Sequence, residues 1–150
     1  MNKLEIKKKL FEACLNHQNE VVANLKDLMN DAQQSANDYG MPKDRYDSYR
    51  MQLLRKRDMY GQQLEKALEE IDILKKIDIS KENKEISFGS VVITNDQKLF
   101  ISISLGKIEV EGETYYAVSV KVPFYEAIKG KKKGNTFDFR DKQNHVVEVF

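Results

Sequence analysis

Apolar residues recur at helical spacing through the first half of the chain and gather into strand-like runs in the second. In the first run Leu4, Phe11, Gln18, Leu25 and Ala32 stand seven residues apart, with Cys14, Val21 and Leu28 at the alternate position, the narrow stripe of a coiled-coil seam. A second run repeats the pattern through Tyr46, Leu53, Tyr60, Ala67 and Leu74, with Leu64 and Ile71 between them. Gly40 stands where a helix ends on a left-handed residue, and Pro42 where the first turn of a new helix accepts proline. The spacing therefore predicts two long helices folded back as an antiparallel hairpin over residues 1–78, with its tip near 37–47.

Past the polar connector 78–84 the period changes. Residues 86–94, 99–103, 115–120, 136–139 and 145–149 are β-branched or aromatic runs bounded by Asn, Asp, Gly and Lys, and they read as strands. Between the third and fourth, residues 123–130 open with Pro and close with Gly, as a short helix does. The expected fold class is α+β: a helical hairpin, then a small antiparallel β-sheet domain with one short helix over residues 84–150. No internal repeat or low-complexity tract interrupts this plan.

Charge and composition remove several function classes. The 150 residues carry 25 Lys and Arg against 24 Asp and Glu, so a non-specific nucleic-acid tail is not expected. The apolar runs are too short to span a bilayer, and Lys3, Lys7, Lys8 and Lys9 precede no uninterrupted apolar stretch or cleavage site; a cytoplasmic chain with no membrane partner is expected. Cys14 is the single cysteine, which rules out an intrachain disulfide and a cysteine-based metal site. Its place in an apolar stripe reads as buried filler rather than a nucleophile, although His17 lies one turn away. No phosphate loop, dinucleotide glycine fingerprint or nucleophile elbow is present, and His17 and His145 fall in different halves. A self-sufficient active site, an intrinsic cofactor and a small-molecule substrate are therefore not expected.

Two clusters remain. The turn 36–47 gathers Asp38, Asp44 and Asp47 with Lys43 and Arg45. Behind it Arg50, Arg55, Lys56 and Arg57 crowd the tip-proximal part of the second run, and Arg50 and Arg57 fall on seam positions where heptads want apolar residues. Burying them needs partners, for which Gln18 and Asn24 are candidates.

The C-terminal half carries the more specific pattern. Phe88-Gly89-Ser90-Val91-Val92 is similar to the phenylalanine-glycine opening strand of the bacterial transcription elongation factors of the Gre type, GreA and GreB. The run 118–136, with Pro123, Ala127, Ile128, Gly130 and Gly134, resembles that family's strand, Ser-Pro, short helix, Gly and charged turn. Val122 stands where the family has Ser and Asn135 where it has Asp, so the resemblance implies a divergent member. The resemblance implies an FKBP-like sheet domain docked at the mouth of the RNA polymerase secondary channel, and a coiled coil reaching down it to the active centre.

The same resemblance implies roles for individual residues. The family's tip acids help hold a second magnesium ion for cleavage of backtracked RNA. Here the first acid falls on Met41 and the second on Asp44, with Asp38 and Asp47 as further carboxylates. Asp44 would assist the metal only within the polymerase complex, sharing Mg2+ with the polymerase, because a hard octahedral cation in phosphoryl chemistry needs added carboxylate oxygens. Plainer readings stand beside these: Asp44 as a charge stabilising a helix N-terminus, Asp47 as a solvated charge, Asp38 as a turn former. Arg45, Arg50 and Arg57 would contact phosphates at the RNA 3′ end, and Pro123, Phe124 and Tyr125 the polymerase. The chain is thus expected to act as a non-enzymatic accessory to RNA polymerase. The rival readings are a secondary-channel regulator that does not support cleavage and competes with true Gre factors, and a peptidyl-prolyl isomerase suggested by fold shape alone.

Overall fold

The computed structural model describes residues 2–41 and 48–150. Two long helices, α1 (Lys3–Tyr39) and α2 (Ser48–Leu74), come first. Strands β1 (Val91–Thr94), β2 (Lys98–Ser102), β3 (Gly106–Val110) and β4 (Glu113–Ser119) follow, then helix α3 (Pro123–Ile128) and strands β5 (Thr136–Phe139) and β6 (Lys142–Val149). The α+β class holds. The compact units are cut elsewhere than at the helix-to-strand boundary: one comprises Met1–Asn16 with Asp72–Phe150, the other His17–Ile71.

In the first unit the six strands form one sheet in the order β3-β4-β2-β1-β6-β5. Its central strands are buried on both faces, which is why they read as continuous apolar runs rather than alternations. On one face Val91, Phe100, Tyr115 and Ala117 pack with Leu10 and Cys14 of α1 and with Leu74 and Ile77. On the other, Val92, Leu99, Ile101 and Val146 pack with Tyr125 and Ile128 of α3. The sheet departs from the expectation in two respects. It has a sixth strand, β3, and β2 pairs with β4 in parallel, Leu99 opposite Tyr116 through Ser102 opposite Ser119. Both follow from one event: β3 pairs back on β4 at the sheet edge, so β4 enters beside β2 in the same direction as β2. The opening strand also starts later than expected. Gly89, at φ 90°, turns the chain before Val91, and a Cβ there would lie 3.2 Å from Ile77 Cγ2.

Two turns use left-handed residues other than glycine. Arg140 and Asp141 join β5 to β6 at φ 52° and 62°, the two-residue hairpin that glycine and asparagine fill most cheaply. Asp141→Gly is expected to stabilise the unit by about 1 kcal/mol, read as a raised urea midpoint at unchanged slope. Glu111, at φ 53°, takes the same conformation between β3 and β4, and there its carboxylate pairs with Lys9 of α1.

The start of α1 is capped reciprocally. Glu5 N donates to Asn2 Oδ1 at 2.9 Å, and Asn2 Nδ2 to Glu5 Oε1 at 3.1 Å. Lys7 is 1 % exposed, and its Nζ donates to the Lys81 carbonyl at 2.7 Å. Burial lowers the pKa of that ammonium, against Asp78 and Glu82, which raise it. Lys7 shares the helix face of Leu10 and Cys14, a spacing that marks it in the sequence as an inward residue.

Cys14 is fully buried, and burial pushes its thiol up to about 12, which agrees with filler rather than nucleophile. Its folded pKa stands above the ordinary 9.0, so the folded state binds the extra proton and stability falls as pH climbs from 9 toward 12. Alkylation of Cys14 at pH 8 is expected to be at least ~100-fold slower in native protein than in denaturant, since attack needs the exposed thiolate. Comparable rates in the two conditions would contradict this placement.

The second unit holds the antiparallel pairing. Gln18 Nε2 donates to Glu70 Oε2 at 3.1 Å and to the Ala67 carbonyl at 3.4 Å. Further along α1, Gly61 lies against Met29, Arg57 donates to Gln33, and Tyr39 meets Tyr49 with ring centroids 4.9 Å apart. Partners on α2 thus descend as those on α1 climb. One rail of the α1 seam is as expected, through Gln18, Leu25 and Ala32, all buried. The other is corrected by one residue: it runs through Val22, Met29 and Ala36, while Val21 is half-buried and Leu28 is 43 % exposed. Residues 21 and 22, and again 28 and 29, are all apolar, so the heptad alone leaves the phase open there.

Candidate functional site

The turn end of the second unit carries the acids and arginines singled out by sequence. α1 runs to Tyr39 and closes on Gly40 at φ 89°, whose N–H donates to the Asn37 carbonyl at 3.1 Å. Asp38 is exposed, and its Oδ1 accepts a hydrogen bond from Gln34 Nε2 at 2.8 Å. Met41 is 83 % exposed. Asp44, Asp47 and Arg45 lie outside the described residues. Among the described residues no group of three His, Cys, Asp or Glu side chains is placed to hold a metal. Asp38 alone, with one oxygen already engaged, does not make a magnesium site.

The arginines expected on the seam do face inward. Arg57 is half-buried, and its Nη1 donates to Gln33 Oε1 at 2.5 Å, while Nε and Nη2 donate to Asp58 Oδ1 at 3.0 and 2.8 Å. Its partner is therefore Gln33 rather than Gln18 or Asn24: Gln18 is committed to Ala67 and Glu70, and Asn24 is exposed. Arg50, a heptad earlier, is likewise half-buried. Arg57 reaches phosphate only by exchanging these bonds, whereas Arg55 and Lys56 are exposed.

The Pro123 segment divides differently from the expectation. Val122 holds an extended backbone at φ −79°, ψ 147°, as the residue before proline must, and Pro123 opens α3. Pro123 is exposed, and Phe124 is half-buried, edge-on to Phe139 at 4.8 Å and Phe137 at 6.0 Å. Tyr125 is 6 % exposed and lies in the core with Ile128, so its assignment as a docking aromatic is corrected. Tyr125 and Ile128 are three apart on one helix face, the signal that separates them from Phe124. Burial also pushes the Tyr125 phenol upward, with smaller contributions from Glu126 and Glu85.

Beyond α3, Gly130 and Gly134 at φ 76° and 88° frame a lysine-rich loop. Lys131 and Gly130 are tied to Ile86 through backbone bonds of 2.8 and 2.9 Å, and Lys133 reaches Glu148 at 3.6 Å. Glu148 also accepts from Lys3 at 3.2 Å, and chiefly that bond holds its carboxyl below the usual range. Among the described residues no helix is long and apolar enough to cross a membrane.

No family model matches the chain, and no curated protein does. Among solved structures, that of the transcription factor Gfh1 is similar at 18 % identity, over 91 % of this chain and 93 % of that one, with a TM-score of 0.32.

Proposed function

We propose that the chain is a Gre-like accessory factor of transcription: the sheet unit binds RNA polymerase and the helical hairpin enters its secondary channel. The observation that carries the reading is the ordered run 118–136. There a strand, a proline-opened short helix, Gly130, a lysine turn and Gly134 succeed one another as in the family's motif, behind a helical hairpin that turns at Gly40. Pro123 and Phe124, exposed and half-exposed, are the residues of that run left for docking. The factor supplies no complete active site. Any RNA hydrolysis belongs to the polymerase and its Mg2+.

Met41 favours the second reading, a secondary-channel regulator that does not support cleavage. It presents an exposed thioether where the family has its first acid, and a thioether offers magnesium no hard oxygen. Pull-down with core RNA polymerase, followed by a cleavage assay on a stalled complex, separates the outcomes. Binding with cleavage supports the first reading, binding without it the second, and no binding removes both.

Phosphate contacts by Arg50, Arg55, Lys56 and Arg57 are expected only inside that complex, because the chain's charge nearly balances. Binding of the isolated protein to free RNA at physiological salt is expected to be weaker than ~100 μM. Tight binding in an electrophoretic shift would contradict it.

A further inference from the structure

We propose that one flank of the hairpin, carrying Val21, Leu28, Leu53 and Tyr60, is a self-association surface, occupied by the same flank of a second copy of the chain. The inference goes beyond the polymerase reading and does not depend on it. α1 carries more heptad-spaced apolar residues than its intrachain seam consumes. Val22, Leu25, Met29, Ala32 and Ala36 face α2, which leaves Val21 half-buried and Leu28 43 % exposed on the adjoining stripe. A helix apolar on a third stripe beside its seam is built for a second neighbour.

α2 offers the matching wall through the edge of its own seam, where Leu53 and Tyr60, seven residues apart, are left half-buried beside Ala32. Between the walls lies an open groove of about 200 Å³, lined by Leu28, Ala32, Leu53 and Tyr60, with Asp31 on the α1 side and Lys56 on the α2 side. The other exposed apolar residues of α2, among them Met51, Met59 and Leu68, point in different directions around the helix and need no partner.

Charge selects the occupant. Asp31 and Lys56 are both exposed, and the ion pairs found among the described residues leave both out. A twofold axis sets a patch against itself, so each Asp31 meets the Lys56 of the other copy, giving two equivalent ion pairs around the Leu28 contacts. A knob such as Leu28 entering the facing groove repeats the packing of the seam itself.

The test is sedimentation velocity on the purified full chain, with no polymerase present, from ~1 to ~300 μM at low salt, on wild type, Leu28→Gln, Asp31→Lys, Lys56→Asp and the double swap Asp31→Lys with Lys56→Asp. Circular dichroism confirms that each variant is folded. The wild type should show a reversible dimer. Leu28→Gln and each single swap should weaken it about tenfold or more, since like charges then face each other twice. The double swap should restore association to within ~3-fold of wild type. A monomer at every concentration, a dimer indifferent to the single swaps, or a double swap no better than its parents overturns the proposal. Because nothing here involves polymerase, loss of polymerase binding in the pull-down leaves this result standing, and the reverse holds too.

Discussion

Tyr125→Ala is expected to destabilise the sheet unit by about 3 kcal/mol or more. The ring lies 6 % exposed among Ile86, Val92, Leu99, Ile101 and Ile128, and removing an aromatic from such a site forfeits its transfer energy and leaves a cavity the strands close only in part. Against a total of roughly 5–15 kcal/mol for a domain, that loss moves an unfolding midpoint visibly. Urea titration should show a lower midpoint with unchanged slope. Pro123→Ala, on an exposed residue, should stay within about 0.5–1 kcal/mol of wild type. Phe124→Ala should fall between, losing two edge-on ring contacts at half burial. A stability near wild type for Tyr125→Ala would mean the ring is not core. The same ordering separates folding from the proposed docking to polymerase. Loss of binding in Tyr125→Ala reports unfolding, whereas loss in Pro123→Ala with an intact midpoint reports the surface.

The helices and the central strands were legible because their periods are dictated by burial on one stripe or on both faces. Gly40 marked the end of α1 because a left-handed residue closes helices most cheaply there. What escaped was whatever local pattern underdetermines. β3 reads Gly-Lys-Ile-Glu-Val, an edge strand with alternating charges and few buried residues, and so has no apolar run to announce it. The parallel pairing of β2 with β4 is a property of the β3 excursion, invisible in either strand alone. On α1 the seam phase was ambiguous because residues 21 and 22, and again 28 and 29, are all apolar, so only the position of α2 decides which pair is used. The heptad puts Arg57 on the seam, yet its partner depends on register across the hairpin, which sets Gln33 opposite it. Lys7 passed as one of several N-terminal lysines, although its spacing to Leu10 and Cys14 already put it on the inward face.

On the proposed Gre-like function, Met41→Asp is expected to raise cleavage of backtracked RNA in the polymerase complex by about tenfold or more over the unmodified protein. Met41 is 83 % exposed and follows Gly40, around whose Cβ position nothing lies within 4 Å, so the substitution disturbs no packing and should leave stability within about 0.5 kcal/mol. A gain in cleavage would therefore come from the added carboxylate. Magnesium prefers hard oxygens, the unmodified residue offers sulfur, and the one described acid nearby, Asp38, shares an oxygen with Gln34. On the Gre-like reading the acid at position 44 is the remaining partner, so Asp44→Ala should abolish whatever stimulation exists while polymerase binding persists. Raising Mg2+ should partly substitute for the missing acid in the unmodified factor, since mass action offsets a weaker site. Strong cleavage that survives Asp44→Ala would shift the role to Asp38 or Asp47 or remove the tip from the chemistry. Intact binding with no gain from Met41→Asp would leave the chain as an occupant of the channel that holds the polymerase without helping it cut.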